Sequence, residues 1–388
     1  MKLNTAILAL AVGAFGIGVT EFAPMGMLPA VASDLGISIP TAGLLVSAYA
    51  FGVLIGAPLM TLTTARVPRR TLLIVLMAIF TAGNLLAALS TDYLTLLVAR
   101  VITSLNHGAF FGVGAVVAAR LVAEDKRAGA VAAMFMGLTI ATVGGVPLAA
   151  WAAEQFGWRS VFGAIAGLGV LAMLALRLAL PAVAADARSD LRAELRVLRR
   201  GPVLLALAMT VIASSAMFTV FTYFAPILLQ QTQASTGFVA AMLVVYGLGL
   251  TAGNWLGGRY GDRSIDGTLI VTLAGTVLLL LLFSVGMRWP VPAALLIFLW
   301  GVTSFAVVPP LQMRVMAAAA DAPNLASAMN IGAFNLGNAV GAVVGGVVIG
   351  TGLGFPAVAL AGAAMAACGL ALVLALREPR SRSLASAA

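Results

Sequence analysis

Twelve apolar runs, each about 20 residues long, follow one another along this chain of 388 residues, and they leave little choice of fold. A helical run of about 20 residues matches the hydrocarbon thickness of a bilayer. In lipid every backbone N–H and C=O must be bonded inside the protein, so such runs are helices and not open strands. They cover roughly residues 5–29, 41–63, 71–89, 94–118, 129–152, 158–180, 203–229, 237–257, 268–286, 291–315, 325–350 and 354–377. Only 9% of the residues are charged and 62% are hydrophobic, against about a quarter charged in a soluble domain.

A net charge of +9 would suggest nucleic acid as partner of a soluble chain. Here the position of the charges excludes it. "TARVPRRT", "ARLVAEDKRAG", "GGRYGDRSIDG", "QMRV" and "REPRSRS" alternate with gaps poor in basic residues, such as "SDLGISIPT", "STDY" and "TQASTG". Nineteen of the 22 Lys and Arg fall on one side when both termini share it, the exceptions being Arg100, Arg159 and Arg288. The positive-inside rule makes that side cytoplasmic. The expectation is a multi-pass inner-membrane protein, both termini inside, monomeric, with the bilayer and no nucleic acid as its surroundings.

The first run, reaching Pro29, is longer than the apolar region of a signal peptide and reads as a retained span. The single cysteine, Cys368, cannot form an internal disulfide and reads as a small buried apolar side chain. With one histidine and almost no acids in the runs, no metal site, no Ser-His-Asp arrangement and no phosphate-cradling loop is expected. Neither catalytic residues nor a cofactor is expected.

The chain repeats itself. "AYAFGVLIG" (48–56) lies over "VYGLGLTAG" (245–253), Arg66 over Arg263, and "TLLIV" (71–75) over "TLIVT" (268–272), while "AAMFMG" (132–137) matches "SAMNIG" (327–332). A polar segment, "ARSDLRAELRVLRRGP" (187–202), separates six runs from six. It reads either as a basic amphipathic helix on the anionic leaflet or as a solvated tether. The division is 1–182 for one six-helix bundle, 183–202 for a cytoplasmic linker and 203–388 for the second bundle. Duplicated halves suit a carrier that rocks about a central site. A channel or a receptor fits less well, because the chain carries no appended output domain.

Glu21 is the one acid deep in a span, within "GIGVTEFAPMGMLP". Such a group costs about 2.5–3.5 kcal/mol at a helix centre and therefore faces a cavity or a partner. Counted from Pro29, Glu21 lies about 12 Å below the outer end of span 1, and Arg100 about 10 Å below that of span 4. A Glu21–Arg100 ion pair is the main structural expectation; the alternative has Glu21 serving backbone freed by Pro24. Arg100, Thr103, Ser104, His107 and Phe111 share a helical face, and His107 reads either as a proton relay or as a hydrogen-bonded interior histidine. Thr103, Asn106, Phe110, Phe111, Ser214, Phe218, Thr222, Tyr223, Asn330, Phe334, Asn335 and Asn338 form the candidate substrate set, polar groups among apolar walls, each alone being also compatible with helix packing. Glycines at four-residue spacing (52 and 56; 249, 253 and 257; 337, 341 and 345) read as close helix contacts.

Across essentially its whole length the chain resembles the major facilitator superfamily. The loop after span 8 keeps Gly258, Asp262 and Arg263 of that family's loop motif, and the loop after span 2 keeps Arg66, Arg69 and Arg70, with Ala65 in place of the acid. The resemblance implies a gating role for these residues and two pseudo-symmetric six-helix bundles. "TEFAPMGMLP", "ARVITSLNHGAFFG", "GGVPLAAW" with "FGWR", and "NIGAFNLGNAVGA" resemble the twelve-span drug:proton antiporters near the sugar-efflux and chloramphenicol-resistance permeases. Gly144, Gly145 and Pro147 of the span 5 antiporter motif are present, with Ala149 and Ala150 in place of its second glycine pair. The resemblance implies proton-driven efflux of drugs or sugars by alternating access. Read from their own charges, Glu21, Arg100 and His107 are the proton-coupling candidates: a nearby arginine favours the carboxylate and desolvation the acid, so a change of cavity access can load and release a proton. Uptake or proton-independent carriage of a sugar or nucleoside-like metabolite is the alternative.

Overall fold

The computed structural model describes residues 5–64, 66–123, 127–181, 197, 199–261, 263–319 and 323–376. Among these, twelve helical spans are long and apolar enough to cross a membrane: Thr5–Leu35, Ile39–Ala57, Arg69–Leu89, Tyr93–Arg120, Ala130–Phe156, Trp158–Ala179, Gly201–Gln230, Thr236–Gly261, Ile265–Gly286, Pro290–Ala318, Met329–Gly350 and Gly354–Ala375. They are numbered 1 to 12 below. Six spans in each half put the starts of spans 1 and 7 and the ends of spans 6 and 12 on one side, the linker face. Residues 182–196, carrying Arg188, Arg192 and Arg196, and the loop residue Asp262 lie outside the described residues.

Helix pairing repeats with the sequence. Span 1 packs on spans 5 and 6, span 3 on span 6, and span 2 on span 4; span 7 packs on spans 11 and 12, span 9 on span 12, and span 8 on span 10. Each pair of the first half thus recurs with six added. The four-residue glycines make these contacts possible. A Cβ at Gly253 would meet the carbonyl of Val302 and one at Gly257 that of Ala306, both on span 10. Gly337, Gly341 and Gly345 bring span 11 equally close to Ser214, Ser215 and Thr219 of span 7. Backbone-to-backbone approach of this kind replaces the hydrophobic drive that lipid removes.

Three spans are not continuous helices. Span 4 breaks at Leu105–Asn106 between Tyr93–Ser104 and His107–Arg120. Span 7 breaks between Gly201–Phe221 and Phe224–Gln230, and span 10 between Pro290–Ala306 and Val308–Ala318. Prolines explain two of them. Pro226 has no N–H for the carbonyl of Thr222, and Pro309 and Pro310 disfavour helix at the residue before them. Span 5 takes up a wide turn, Ala141–Gly145, immediately before Pro147; a single π-type turn re-spaces the carbonyls around a proline. The helix entering span 4 starts on Asp92, whose carboxylate accepts from Thr95 N (2.9 Å) and Thr95 Oγ1 (2.7 Å). Those bonds hold its carboxyl below the usual range, the side-chain bond most of all.

Three expectations need correction. Span 1 does not end at Pro29 but runs as one helix to Leu35, with Pro24 and Pro29 inside it, and Gly36 at φ 62° closes it. The basic segment "QMRV" is not a loop; it belongs to the second helix of span 10. Cys368 is exposed on span 12 rather than buried. In a membrane helix exposure means contact with lipid, so the thiol still meets an apolar environment.

The halves meet at mid-depth and toward the opposite face. Phe22 of span 1 stacks on Phe218 and edges Phe221 of span 7 (centroids 6.3 and 6.2 Å). Ser47 donates to the carbonyl of Ala339 across spans 2 and 11 (3.2 Å). Thr236 donates to Glu154 across spans 8 and 5 (2.6 Å). Arg159, an exception to the charge asymmetry, sits on this opposite face and is held by Asp34 (2.5 Å) and the carbonyl of Ser90 (2.7 Å).

Candidate functional site

Inside the first half, a string of polar side chains crosses spans 3, 1, 4 and 2. Asn84 donates to its own span at the Phe80 carbonyl (2.9 Å) and accepts from Thr20 Oγ1 (2.7 Å). Arg100 Nη1 donates to the Thr20 carbonyl (2.8 Å). That carbonyl is free because its helical partner would be the N–H of residue 24, which is proline. The face of the Arg100 guanidinium lies 4.2 Å from the ring centre of Tyr49, a cation–π contact. The Tyr49 hydroxyl is 3.1 Å from His107 Nδ1, and the same nitrogen is 4.0 Å from Glu21 Oε2. The string therefore begins at Asn84 and ends at Glu21.

The expected Glu21–Arg100 ion pair is not formed. The two residues share a level, as their depths required, but the guanidinium is turned to the Thr20 carbonyl and the tyrosine ring. Arg100 Nε and Nη2 have no hydrogen-bond partner. The alternative role for Glu21 also falls, since the backbone that Pro24 frees is served by arginine. This follows from donor chemistry: a carboxylate accepts, and so does a carbonyl.

Glu21 and His107 reach the wall of a cleft between the halves, with about 590 Å³ of empty space including its mouth. Phe22, Phe305 and Phe334 form apolar walls, and Thr210, Gln312, Asn330 and Asn335 supply polar groups from spans 7, 10 and 11. Thr210 donates to Asn330 Oδ1 (2.6 Å), and Asn330 Nδ2 donates to Gln312 Oε1 (2.6 Å). Asn335 Nδ2 is tied to its own helix at the Ile331 carbonyl (3.0 Å), while its Oδ1 has no partner. Gln312 and Asn330 lie six and seven residues from helix ends on the linker face, about 10 Å at the helical rise. The cleft accordingly lies in the part of the molecule toward the linker face, with the Phe22 stack on its other side.

Of the candidate substrate set, Asn330, Phe334 and Asn335 line this cleft. Phe218 stands behind it, edge-on to Phe334 (5.4 Å), and Phe111 stacks on Phe135 (5.0 Å) and lies tilted against His107 (5.1 Å). The others do not line the cleft. Thr103 bonds its own helix at Ala99 and abuts Gly83 of span 3. Phe110 fills the space at Gly13 of span 1, Ser214 that at Gly337. Tyr223 donates to the Ala342 carbonyl (2.7 Å) near the opposite face. Asn106, Thr222 and Asn338 are buried away from the cleft with side-chain atoms that have no partner. The shared face expected on span 4 is thus divided: Arg100 and His107 serve the polar string, while Thr103 and Ser104 back onto glycines 83 and 52.

Of the gating candidates, Arg70 and Arg263 make contacts within their own halves. Arg70 donates to the carbonyl of Arg177, Arg263 lies over its neighbour Tyr260 (5.5 Å), and Asp266, just beyond it in the chain, pairs with Arg314 (2.8 Å). Arg66 is exposed, Arg69 is partly buried and Gly258 has open space about it. Pro147 is buried at the end of the wide turn in span 5.

Sequence reading missed Thr20, Tyr49, Asn84, Thr210 and Gln312. Tyr49 had a signal, since the repeat pairs it with Tyr246. Thr20 had a fainter one, lying four residues before a proline.

Two helical bundles related by a repeat, meeting around a central cleft, have the build of a membrane carrier. The chain belongs to the Major Facilitator Superfamily, whose model matches residues 10–334. It is 54% identical over 382 residues to the inner membrane transport protein YdhP of Escherichia coli K12, covering 98% of each chain. It is 35% identical to the chloramphenicol resistance protein of Streptomyces lividans and 32% to a probable sugar efflux transporter of Helicobacter pylori G27, covering 90% of each chain in both cases. Among solved structures, a D-xylose–proton symporter has the same fold at a TM-score of 0.78 and 15% identity, over 96% of this chain and 97% of that one. The protein is a multi-pass membrane transporter.

Proposed function

We propose that the protein is a proton-coupled exporter, exchanging small organic compounds for protons across the cytoplasmic membrane. The linker face, rich in arginine, is the cytoplasmic face, so the cleft lies on the cytoplasmic side of the Phe22 stack. The observation that carries the reading is Glu21, 4% exposed, on the cleft wall with an imidazole as its nearest basic group. An ionisable group there exchanges a proton with whichever side the cleft opens to. Relatives named for chloramphenicol resistance and sugar efflux support export.

The cleft has one acid in its first-half wall and uncharged polar groups in its second-half wall. This suits an amphiphilic compound that is neutral or carries a single positive charge, its apolar part against Phe305 and Phe334 and a donor toward Asn335 Oδ1. The pairing of a proton site in one half with a substrate wall in the other couples the two through the cleft they share.

The test is substrate-driven proton movement in proteoliposomes holding a pH dye, with hydrophobic antibiotics and sugars offered in turn. Proton movement in the wild type that Glu21→Gln abolishes is the expected result. Substrate flux with no proton movement in the wild type contradicts the proposal.

A further inference from the structure

Tyr49 stands between the two bases of the polar string, with its ring on Arg100 and its hydroxyl on His107. It is fully buried at 1% exposure, and His107 is 4% exposed. From this geometry we infer that Tyr49 is a positioning residue, which keeps the imidazole of His107 from becoming the counter-ion of Glu21. The inference rests on Glu21 being the proton site.

The atom that decides it is His107 Nδ1. This one nitrogen is both the partner of the Tyr49 hydroxyl and the closest basic atom to Glu21 Oε2. Neutral imidazole has one donor and one acceptor nitrogen. Among the described residues the Tyr49 O–H has no other acceptor, so it donates to Nδ1 and the imidazole proton sits on Nε2. With its lone pair taken, Nδ1 neither binds a proton nor donates one to the carboxylate 4.0 Å away. An incoming proton goes to Glu21, the residue that faces the cleft. Without the hydroxyl, Nδ1 takes the proton, the imidazolium pairs with the carboxylate, and the charge is trapped between two groups of the same half.

The groups facing Glu21 are few. Arg100 and His107 approach it from the two segments of span 4, and Tyr49 from span 2 lies beyond them. Spans 7, 10 and 11 present the uncharged Thr210, Gln312, Asn330 and Asn335. Apart from tyrosines, Glu21, Arg100 and His107 are the ionisable side chains buried among the described residues, so spans 3, 5, 6 and 8 add no buried charge.

The internal repeat separates the two parts of this tyrosine. Its counterpart Tyr246 also packs its ring on the neighbouring span, against Trp300 (4.7 Å), yet the second half has no histidine at all. Ring packing is common to both halves, whereas the hydroxyl-to-imidazole contact belongs only to the half that holds Glu21.

The experiment is infrared difference spectroscopy of the full chain in liposomes, titrating the carboxylic-acid C=O band that Glu21→Gln removes. Tyr49→Phe keeps the ring on Arg100 and deletes the hydroxyl. A cation beside a carboxylate favours its ionised form, so the midpoint of the band should fall by about one pH unit in Tyr49→Phe. Adding His107→Asn to that variant should restore the midpoint to that of His107→Asn alone. An unchanged midpoint in Tyr49→Phe, or a shift that persists without His107, overturns the inference. A wild type with no titrating band assignable to Glu21 overturns the proton-site reading itself, and the inference with it.

Discussion

Arg100 holds the carbonyl of Thr20, the residue before Glu21, at 2.8 Å, and so ties the first segment of span 4 to the proline-relieved turn of span 1. The arginine is therefore a tether between two spans as well as a charge near the carboxylate. Neither end of the tether reaches lipid, since Arg100 is 1% and Thr20 0% exposed.

Replacing Arg100 by an apolar side chain of similar bulk removes both the tether and the charge. Burying a charge carries a large desolvation cost, so Arg100→Met is expected to fold and insert at near wild-type yield. Transport should fall by at least about tenfold, equivalent to roughly 1.4 kcal/mol. Size-exclusion profiles and initial transport rates of the same preparations check both halves of the statement.

Span 8 cannot be moved from span 10 without loss of packing. In Gly253→Val the added carbon meets the Val302 backbone carbonyl, which has no rotamer to change. The expected cost is about 1–3 kcal/mol, visible as a lower melting temperature in detergent. Gly258→Ala, where a Cβ meets nothing within 4 Å, should melt with the wild type.

Thr236 and Glu154 join the halves on the face opposite the linker. In Thr236→Val that bond is lost, and the closed state on that side is weakened by the modest value of a solvent-exposed hydrogen bond. Labelling of a cysteine placed at Ala150, which packs beside Gly26 beneath this contact, should speed up about two- to fivefold from that face.

Much of the fold was legible because a bilayer allows so few solutions. Twelve runs, the repeat and the glycine spacings all led to helix pairs that the structure contains. Span ends were less legible: Pro29 looks like a stop, yet a membrane helix tolerates proline where a neighbour serves the freed carbonyl. At the site, Glu21 and His107 stood out because charge is costly in lipid. Tyr49, Thr210 and Gln312 did not, because tyrosine, threonine and glutamine occur in spans for packing alone and only their neighbours distinguish them. The Glu21–Arg100 pair was inferred from equal depth, which says nothing of which way a long side chain turns.

The second-half wall should govern affinity rather than proton traffic. Asn335→Leu keeps the volume of the wall and removes the one carbonyl oxygen there that has no partner. For a transported compound with an N–H or O–H donor, KM should rise about tenfold with the proton-to-substrate ratio unchanged, the scale of one lost hydrogen bond in a dry site.

The most direct measurement of the central claim is proton release on substrate binding by the purified transporter in weakly buffered detergent solution. The wild type should release about one proton per molecule on adding a transported compound, and Glu21→Gln none although it still binds the compound. Undiminished release from Glu21→Gln would contradict the claim, by placing the exchanged proton on another group.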